Sequence, residues 1–539
     1  MNFNCKFLLI NNIKLPINAS VKEAFSVAKG KIKRAGLSSL ATGYSVYRKS
    51  VDARQKPNLY FVYSIAVTGD FSSIVSNDLG KYGITLCDAT AMPEINIGDT
   101  SLDSPPVIVG SGPCGLFCAL VLAEAGYRPI ILERGGSVAD RQRAVERFNT
   151  EHILDTNCNI QFGAGGAGTF SDGKLVTRTN DPLTAYVLER FIEFGAPEEI
   201  RFIAKPHIGT DVLSVVVDRI IKRIVSLGGS IHYNTTYLGA DVVFGKVKSV
   251  RTNCGKIEAG ALVLAIGHSA RDTYESLMSD NFSIEAKSFS VGMRIEHLAE
   301  DIDKALYGVA AGSPYLGHAE YNLSHDTKNR GVYTFCMCPG GIVVAAASEE
   351  NGVVVNGMSY HNRGERNSNS AVVCSVFKED YGGDPRSAIE FQRKIERAAF
   401  KAGGENYAAP IITVGDFLSG DLKKSPGRIL PSYMSSNHIK LARPEEYLPG
   451  FVCNSIKGAL SAFDKRIDGF AADDAILTGA ETRTSAPVRI LRENTSRLAI
   501  GAENIYPSGE GAGYAGGISS AAIDGIKTAM ALMNKFKPY

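Results

Sequence analysis

The stretch that decides the fold is VIVGSGPCGLFCALVLAEAGYRPIILERG, residues 107–135. It reads as an apolar strand, a glycine-rich turn at 110–115, a helix with one apolar face and a second apolar strand. This alternation is typical of a doubly wound parallel sheet. The turn matches G-x-G-x-x-G, and Glu133 ends the second strand. In this context the glycines allow a tight turn and close approach to a pyrophosphate at the helix N-terminus, and the acid binds ribose hydroxyls. The stretch therefore predicts a dinucleotide site.

This first glycine cluster leaves the identity of the dinucleotide open. In a nicotinamide site Glu133 would favour NAD over NADP, but the same fingerprint also opens FAD domains. Arg134 is either a second phosphate or adenine-side contact or an ordinary surface arginine. The residues expected to bind the cofactor here are Gly110, Ser111, Gly112, Pro113, Cys114, Gly115, Glu133 and Arg134.

A second glycine cluster, NIQFGAGGAGTFSDGKL (159–175), follows no long apolar strand. It is either a flexible surface loop or a set of backbone N–H donors with a nearby cation, which suits a phosphate or a planar ring. We expect cofactor contacts from Gly165, Gly166, Ala167, Gly168, Thr169, Ser171, Asp172 and Lys174.

The third cluster, IYPSGEGAGYAGG (505–517), precedes a helix whose apolar positions recur every three to four residues. Two helix N-termini at the strand ends of one sheet would suit opposite parts of one long cofactor, which favours FAD over NAD. The expected contacts are Gly509, Glu510, Gly511, Gly513, Gly516 and Gly517.

Composition and charge restrict the class of protein. The 539 residues include 58 Lys+Arg and 56 Asp+Glu, a formal net charge of +2, so the molecule as a whole lacks the excess of positive charge that binds nucleic acid or an anionic membrane. Ten cysteines in so long a chain indicate a reducing compartment. Neither a secretion signal nor a membrane span is evident. We therefore expect a cytoplasmic protein that acts on small molecules.

Residues 1–100 read as a separate α+β unit. CKFLLI (5–10) and NLYFVYSIAV (58–67) are strand-like, and Ser20 with Glu23 predicts a capping box for a helix through about Arg34. This segment carries 12 Lys+Arg against 7 Asp+Glu. That excess is either a solvated face or a binding surface for an acidic partner. A polar linker, INIGDTSLDSPP (95–106), follows.

Motifs along nearly the whole chain also carry a family resemblance. They are KSVDAR (49–54), residues 107–135, FGAGGAGTFSDGKL (162–175), LVLAIGHSARDTY (262–274), GMRIEHL (292–298), MCPGGIVVAAASEENGVVVNGMSYHNR (337–363), ETRTSAPVRILR (481–492) and YPSGEGAGYAGGISSAAIDGI (506–526). With them the chain resembles a family of FAD-dependent dehydrogenases of undetermined substrate, distant relatives of the glutathione-reductase-type and aromatic-hydroxylase flavoproteins. Cys114 departs from the small residue usual at its position, which adds bulk but should not prevent binding.

The resemblance implies both an architecture and cofactor contacts. The fold class is α/β, with a discontinuous Rossmann-type FAD-binding domain, an inserted mixed α+β domain and an N-terminal ferredoxin-like α+β domain. The implied boundaries are 1–100 for the N-terminal domain, 101–280 and 451–539 for the FAD-binding domain, and 281–450 for the insertion. Glu133 would hold the adenosine ribose, LAIGH (264–268) would pass near the pyrophosphate, and residues 509–517 would approach the flavin. Leu238, Gly267 and His268 complete the expected cofactor contacts.

The chemistry expected is that of an FAD-dependent oxidoreductase, a dehydrogenase or reductase of unknown substrate. Of the three glycine clusters, the first alone follows a predicted strand and opens a predicted helix, so a second domain dedicated to a nicotinamide cofactor is not evident. NAD(P)H would therefore act only as a transient electron donor at the ring face. Lys174 is expected to tune the flavin charge, and no catalytic residue or metal site is assigned. The alternative is a non-catalytic or sensory FAD protein whose basic N-terminal domain docks RNA or a protein. Polar residues expected near the flavin are Lys174, His268, Arg294, Glu296, His297, His361, Arg363, Arg483 and Glu510.

Two cysteine pairs are visible in the sequence. Cys114 and Cys118 lie four residues apart on the predicted helix, where small packing residues are expected. Cys336 and Cys338 would share one face of a strand, as either packing residues or a redox pair.

Overall fold

The structure, a computed structural model, describes residues 6–72, 74, 79–88, 95–177, 181–327, 330–423, 425–436 and 438–539. Three larger sheets organise these residues: a five-stranded parallel sheet, a seven-stranded sheet and a four-stranded N-terminal sheet. The glycine clusters belong to the parallel sheet and its surroundings.

All neighbouring strands of the five-stranded sheet are parallel. In order across the sheet they are Ile505–Pro507, Ala261–Leu264, Pro106–Val109, Ile130–Leu132 and Ser230–His232. The strands expected at residues 107, 260–267 and 504–507 are thus confirmed. Strands far apart in sequence become neighbours, so the carboxyl ends of the strands before the first and third glycine clusters lie at one edge.

The parallel sheet has a layer on each face. Ile108 and Val263 face a helical layer, whereas Val107 and Leu262 face a three-stranded antiparallel sheet. Since successive residues of a strand point to opposite faces, the uninterrupted apolar strands follow from burial on both sides. The antiparallel strands are Tyr237–Val243, Lys246–Thr252 and Gly255–Glu258. The α-helices of this region are Pro113–Glu124, Val138–Glu151, Leu183–Glu193, Thr210–Ser226, Arg271–Ser279 and Ile518–Lys535.

The seven-stranded sheet is mixed and mainly antiparallel. Across the sheet its strands are Ser324–Thr327, Arg330–Cys338, Asn367–Val376, Phe289–Leu298, Ile476–Glu481, Ala409–Thr413 and Ile439–Leu441. The α-helices of this region are Ala299–Tyr307, Pro385–Gly403, Val414–Ser419 and Gly450–Asp464.

Smaller elements complete the fold. Two-stranded ribbons are formed by Ile342–Ala345 with Val355–Met358, Ile284–Ala286 with Val488–Ile490, and Thr100–Ser101 with Phe536–Lys537. Short 3-10 helices are Gly80–Tyr82, Ala167–Phe170, Glu198–Arg201, Gly308–Ala310, Lys378–Asp380, Tyr433–Ser436 and Pro444–Glu446.

The boundary expected at residue 450 is too early. The helix Gly450–Asp464 buries Val452, Ile456 and Leu460 in the core of the seven-stranded sheet, and Ile476–Glu481 is one of its strands. The chain returns to the parallel sheet only at Ile505–Pro507. An amphipathic helix can pack on either sheet, so the sequence pattern near residue 450 could not assign it.

The N-terminal unit has one helix, Val21–Arg34, against a four-stranded antiparallel sheet. Its strands, in order across the sheet, are Ala41–Asp52, Tyr60–Gly69, Lys6–Pro16 and Ile84–Asp88. The Ser20 backbone N–H donates to Glu23 Oε1 at 2.9 Å, so the helix begins where the capping box predicts, and it ends at Arg34 as expected.

Among the residues that the structure describes, no helix is both long enough and apolar enough to cross a membrane.

Candidate functional site: the cavity at the glycine clusters

The three glycine clusters meet at the N-terminus of the helix Pro113–Glu124. Gly112 is the N-cap residue of this helix and, as a glycine, has no side chain that could cap it. The Gly165 N–H donates to the Ser111 carbonyl at 3.1 Å, which joins the second cluster to the first. A Cβ atom on Gly509 would lie 2.8 Å from the Cys114 Cβ, so the third cluster also packs there. Helix N–H groups without intrahelical partners make this point a favourable place for an anion.

A cavity of about 410 Å³ opens at this point. Its volume lies in the range of roughly 300–1,000 Å³ that is typical of small-molecule sites. The predicted cofactor residues that line it are Gly110, Ser111, Gly112, Pro113, Cys114, Glu133, Arg134, Gly166, Ala167, Gly168, Ser171, Asp172, Lys174, Gly267, His268, Glu510, Gly516 and Gly517.

Six other predicted residues pack behind the cavity wall instead of lining it. A Cβ atom on Gly115 would collide with the Gly110 carbonyl, so this glycine allows the helix to pack against the strand. A Cβ atom on Gly511 would lie 2.5 Å from the Gly267 carbonyl oxygen. These six residues shape the wall through backbone packing. They are Gly115, Gly165, Thr169, Gly509, Gly511 and Gly513.

The expected contact at Leu238 requires a correction. The Leu238 side chain is 51% exposed and does not line the cavity, whereas its neighbour Tyr237 is 4% exposed and does. Because side chains alternate along the strand Tyr237–Val243, only one of two consecutive residues can face inward. The Tyr237 hydroxyl is buried and has no hydrogen-bond partner among the described residues.

Glu133 is a buried acceptor at the end of its strand. Its Oε2 accepts from the Ser111 N–H at 3.0 Å and from the Ser111 hydroxyl at 2.6 Å. Its Oε1 accepts from the N–H groups of Gly135 and Gly163, each at 3.0 Å. The carboxylate therefore connects the first two glycine clusters while it lines the cavity.

Arg134 is held at the cavity wall and is not a free surface side chain. Its guanidinium donates to both carboxylate oxygens of Asp272, at 2.8 and 2.9 Å, and to Thr273 Oγ1. It also lies 4.3 Å from the centroid of the Phe162 ring. These contacts favour the interpretation of Arg134 as a residue of the site.

Arg141 organises the second glycine cluster, and sequence reasoning missed it. Its guanidinium is fully buried and donates to the carbonyls of Asn159, Ile160, Ala164 and Gly166 at 2.6 to 2.9 Å. Burial lowers the pKa of Arg141 to about 10. These hydrogen bonds give the loop a defined conformation. They argue against a flexible surface loop, one of the two interpretations that the sequence allowed.

Asp524 anchors the third cluster in a similar way and was also missed. Its Oδ2 accepts from the Gly509 N–H at 2.7 Å, and Arg492 and Arg497 pair with its carboxylate. Burial acts to raise the pKa of Asp524, but Arg492 and Arg497 outweigh it and lower the pKa to about 2. A lone acid in the apolar stretch AAIDGI (521–526) was the available signal.

One end of the cavity carries a cluster of charges. Lys174 Nζ lies 3.9 Å from Asp172 Oδ2, and Arg363 bridges Asp172 and Glu320 at 2.9 and 2.7 Å. Lys205 lies 3.6 Å from Glu320. Burial acts to raise the pKa of Asp172, but Lys174 and Arg363 outweigh it, so the carboxylate is ionised.

Glu510 and His268 line the cavity with unusual protonation behaviour. Burial raises the pKa of Glu510 to about 7 against the opposing effect of Lys287. Burial and the nearby Arg483 and Arg271 lower the pKa of His268 to about 3. At neutral pH His268 is uncharged, whereas Glu510 can exchange a proton.

The other polar residues expected near the flavin divide into three groups: one lines the cavity, two lie behind its wall and three lie away from it. Arg483 lines the cavity and pairs with buried Glu396 at 3.1 Å. Arg294 pairs with Glu481 from behind the wall at 3.0 Å, as Arg363 does with Asp172. The structure does not bring three others to the cavity, since each is bound within its own surroundings: Glu296 by Ser432, His297 by Phe470 and His361 by Ile208.

The residues of this cavity fit a long, polar, anionic cofactor. An uncapped helix N-terminus suits a pyrophosphate, and backbone glycines leave room beside it. Among the described residues nothing hydrogen-bonds the buried Tyr237 hydroxyl, a condition that costs stability unless a ligand satisfies it. FAD offers the required phosphates, ribose hydroxyls and ring atoms.

Two family models match the chain. One, described as an FAD binding domain, matches residues 103–149. The other, described as "FAD-dependent protein, C-terminal domain-like", matches residues 288–484, which covers most of the seven-stranded sheet. The cofactor of this chain is therefore FAD.

Solved structures show a weaker likeness. Glycine oxidase from Bacillus cereus is 10% identical with a TM-score of 0.35, covering 81% of this chain and 99% of the oxidase. L-amino acid deaminase from Proteus vulgaris is 13% identical with a TM-score of 0.33, covering 83% of this chain and 97% of the deaminase. At these TM-scores the likeness supports no conclusion about function.

A much stronger match is a protein of Clostridium beijerinckii that is described as uncharacterized. It is 44% identical over 532 residues, which cover 98% of each chain. The two proteins are thus alike from the N-terminal unit to the last helix, beyond the separate stretches that the family models match. The chain belongs to the same family as this clostridial protein, a family of FAD-dependent proteins.

Proposed function

We propose that the protein is an FAD-dependent oxidoreductase, a dehydrogenase or reductase, whose substrate reacts in the cavity at the glycine clusters. The observation that supports this most strongly is the convergence of three distant glycine clusters on one uncapped helix N-terminus beside Glu133. A purely structural role would not require a cavity at that point.

The residues divide the proposed cofactor site into three parts. The N-terminus of Pro113–Glu124 would bind the pyrophosphate, and Glu133 with Tyr237 would bind the adenosine part. The third cluster, at Gly516 and Gly517, would approach the ring. FAD, when bound, accepts or donates electrons as a pair or a hydride.

The charges at the cavity suggest how the protein would support that chemistry. Lys174 carries a positive charge at the wall, which would stabilise negative charge on a reduced ring. His268, which is neutral, cannot do this. Glu510 would hold or release a proton near neutral pH, because a general acid or base works best when its pKa lies near the operating pH.

The finer architecture is part of the proposal. The parallel sheet would be the discontinuous Rossmann-type FAD-binding domain, the seven-stranded sheet an inserted substrate domain, and residues 1–100 a ferredoxin-like domain. NAD(P)H would serve as a transient electron donor, since only residues 107–135 combine the fingerprint with a strand and a helix. The substrate is a small molecule that remains to be identified.

The test is the visible spectrum of the purified full-length protein under anaerobic conditions, before and after NADPH and then NADH are added. A flavin band that bleaches supports a reductase driven by pyridine nucleotide. A band that persists indicates a dehydrogenase reduced by its own substrate, or the sensory alternative. Failure to bind FAD even after reconstitution would contradict the proposal.

A further inference from the structure

Cys336 and Cys338 lie on a distorted part of the seven-stranded sheet that faces the cavity. In the strand Arg330–Cys338, Phe335 pairs with Ala371 and Cys338 with Asn369, so one extra residue is inserted between them. Cys336 has a left-handed backbone with φ of +45°. Such a bulge re-aims side chains and is frequent beside functional sites.

The distortion brings the two thiols together. The Cys338 thiol donates to the Cys336 carbonyl oxygen at 3.3 Å, and the two thiols shift each other's pKa. Both cysteines are free. In a regular strand, residues two apart share a face but are held at the full extended spacing, so the bulge is what allows the two side chains to approach each other.

The two thiols differ in access. Cys336 lines the cavity and is partly exposed, whereas Cys338 is fully buried behind it. A dithiol that exchanges electrons with an outside partner needs one reachable sulfur, which the partner attacks, and one protected sulfur, which completes the disulfide. The pair has that asymmetry.

The charges around the pair favour a thiolate at the reachable position. The Cys338 thiol, together with the nearby Arg294 and Lys174, outweighs burial and lowers the pKa of Cys336, whereas the pKa of Cys338 is raised. By contrast, burial raises the pKa of Cys114 and of Cys453 to about 12. Cys336 is thus set apart from the packing cysteines of the same chain.

We propose that Cys336 and Cys338 are a redox-active dithiol that carries electrons between a dithiol substrate and the flavin. The Cys336 thiolate and the Cys338 thiol form one S–S bond, and in doing so they lose two electrons and the Cys338 proton. The same two electrons and one proton reduce oxidised FAD to its anionic reduced form, so charge and atoms balance. An external dithiol then returns the pair to its reduced state by thiol–disulfide exchange at Cys336, and itself becomes a disulfide. This proposal rests on the proposed function, since the flavin is the electron acceptor.

The first test is independent of the flavin. FAD-free protein is treated with diamide, a thiol oxidant, and the peptide that contains both cysteines is weighed with and without a reductant. Formation of a disulfide, seen as a loss of two hydrogen atoms that the reductant reverses, is the expected result. Modification of Cys336 without a link to Cys338 would overturn the proposal.

The second test uses the flavin-loaded protein and dithiothreitol under anaerobic conditions. We expect the flavin band to bleach in the wild type and in Cys374→Ser, a free cysteine on the adjacent strand, and to bleach at least about tenfold more slowly in Cys336→Ser. If Cys336→Ser does not fold, wild-type protein alkylated at Cys336 replaces it. Equal bleaching in all proteins, or none in the wild type, would overturn the dithiol role although FAD is bound. Absence of FAD would instead contradict the proposed function.

Discussion

Gly166 lies directly against Gly112, so closely that a Cβ atom on Gly166 would stand 2.8 Å from the Gly112 Cα. Gly166 also has φ of +63°, a conformation that L side chains rarely adopt. Because the opposing atom is backbone, it cannot turn away as a flexible side chain could. This contact joins the second glycine cluster to the helix N-terminus at which the pyrophosphate is expected.

Gly166→Ala should therefore lose the cofactor. We expect the variant to retain little FAD after gel filtration and to lose about 2 kcal/mol or more of its free energy of unfolding, since strain and a backbone clash combine. The measurements are flavin absorbance per protein and a urea titration. The control is Gly382→Ala, where φ is +91° but a Cβ atom would meet nothing within 4 Å. That variant should keep its FAD, and full FAD content in Gly166→Ala would show that the contact does not shape the site.

Arg141→Lys should loosen the second glycine cluster. Lysine cannot replace a planar guanidinium that donates to four carbonyls, so buried acceptors would lose their partners. We expect a loss of about 3 kcal/mol in the free energy of unfolding, together with weaker FAD binding. Arg143→Lys, on the exposed side of the same helix, should change stability by less than about 0.5 kcal/mol. Equal effects of the two substitutions would contradict the role given to Arg141.

Tyr237→Phe should have opposite effects on the two states of the protein. Without FAD the buried hydroxyl has no partner in the part of the chain that the structure describes, so its removal should leave stability unchanged or slightly higher. With FAD the hydroxyl would gain a partner, and its loss should weaken binding by about tenfold or less. Thermal unfolding with and without FAD measures both effects. Leu238→Ala removes an exposed side chain and should change neither, whereas a larger effect at Leu238 would reverse the assignment.

The glycine clusters were predictable because a close contact between two backbone segments requires glycine, and glycine can be seen directly in the sequence. Only glycine tolerates the contacts at Gly115 and Gly166, and the acid at Glu133 has a characteristic spacing. Most residues expected at the cofactor line the cavity for this reason. Leu238 does not line the cavity but its neighbour Tyr237 does, since a short strand does not reveal which of two consecutive residues faces inward.

The residues that support the clusters could not be predicted in the same way. Arg141 belongs to a charged helix that also contains Arg143 and Arg147, and nothing local distinguishes the buried arginine from its exposed neighbours. Its partners are backbone carbonyls, which any sequence provides. Such contacts depend on tertiary packing and become visible only in the structure.

Glu510 provides a prediction that depends on pH. Its pKa is about 7 in the folded protein against an ordinary value of 4.5, so the folded state binds the proton more tightly than the unfolded state does. The contribution of Glu510 to stability is therefore fully present below about pH 4.5, falls as pH rises to about 7 and is level above that. Glu510→Gln should flatten this part of the stability curve. If Glu510 exchanges the substrate proton, the variant should also lose the inflection near pH 7 in the rate of flavin reduction.

The control for Glu510 is Glu503→Gln, an exposed carboxylate on the same segment of the chain. It should leave both pH profiles as in the wild type. Urea titrations at several pH values measure the first profile, and stopped-flow bleaching of the flavin measures the second. If Glu510→Gln flattens the stability curve but leaves the inflection in the reduction rate, Glu510 is a buried acid that titrates without taking part in the reaction. If neither profile changes, the high pKa itself is wrong, because a proton held at Glu510 must appear in the pH dependence of unfolding.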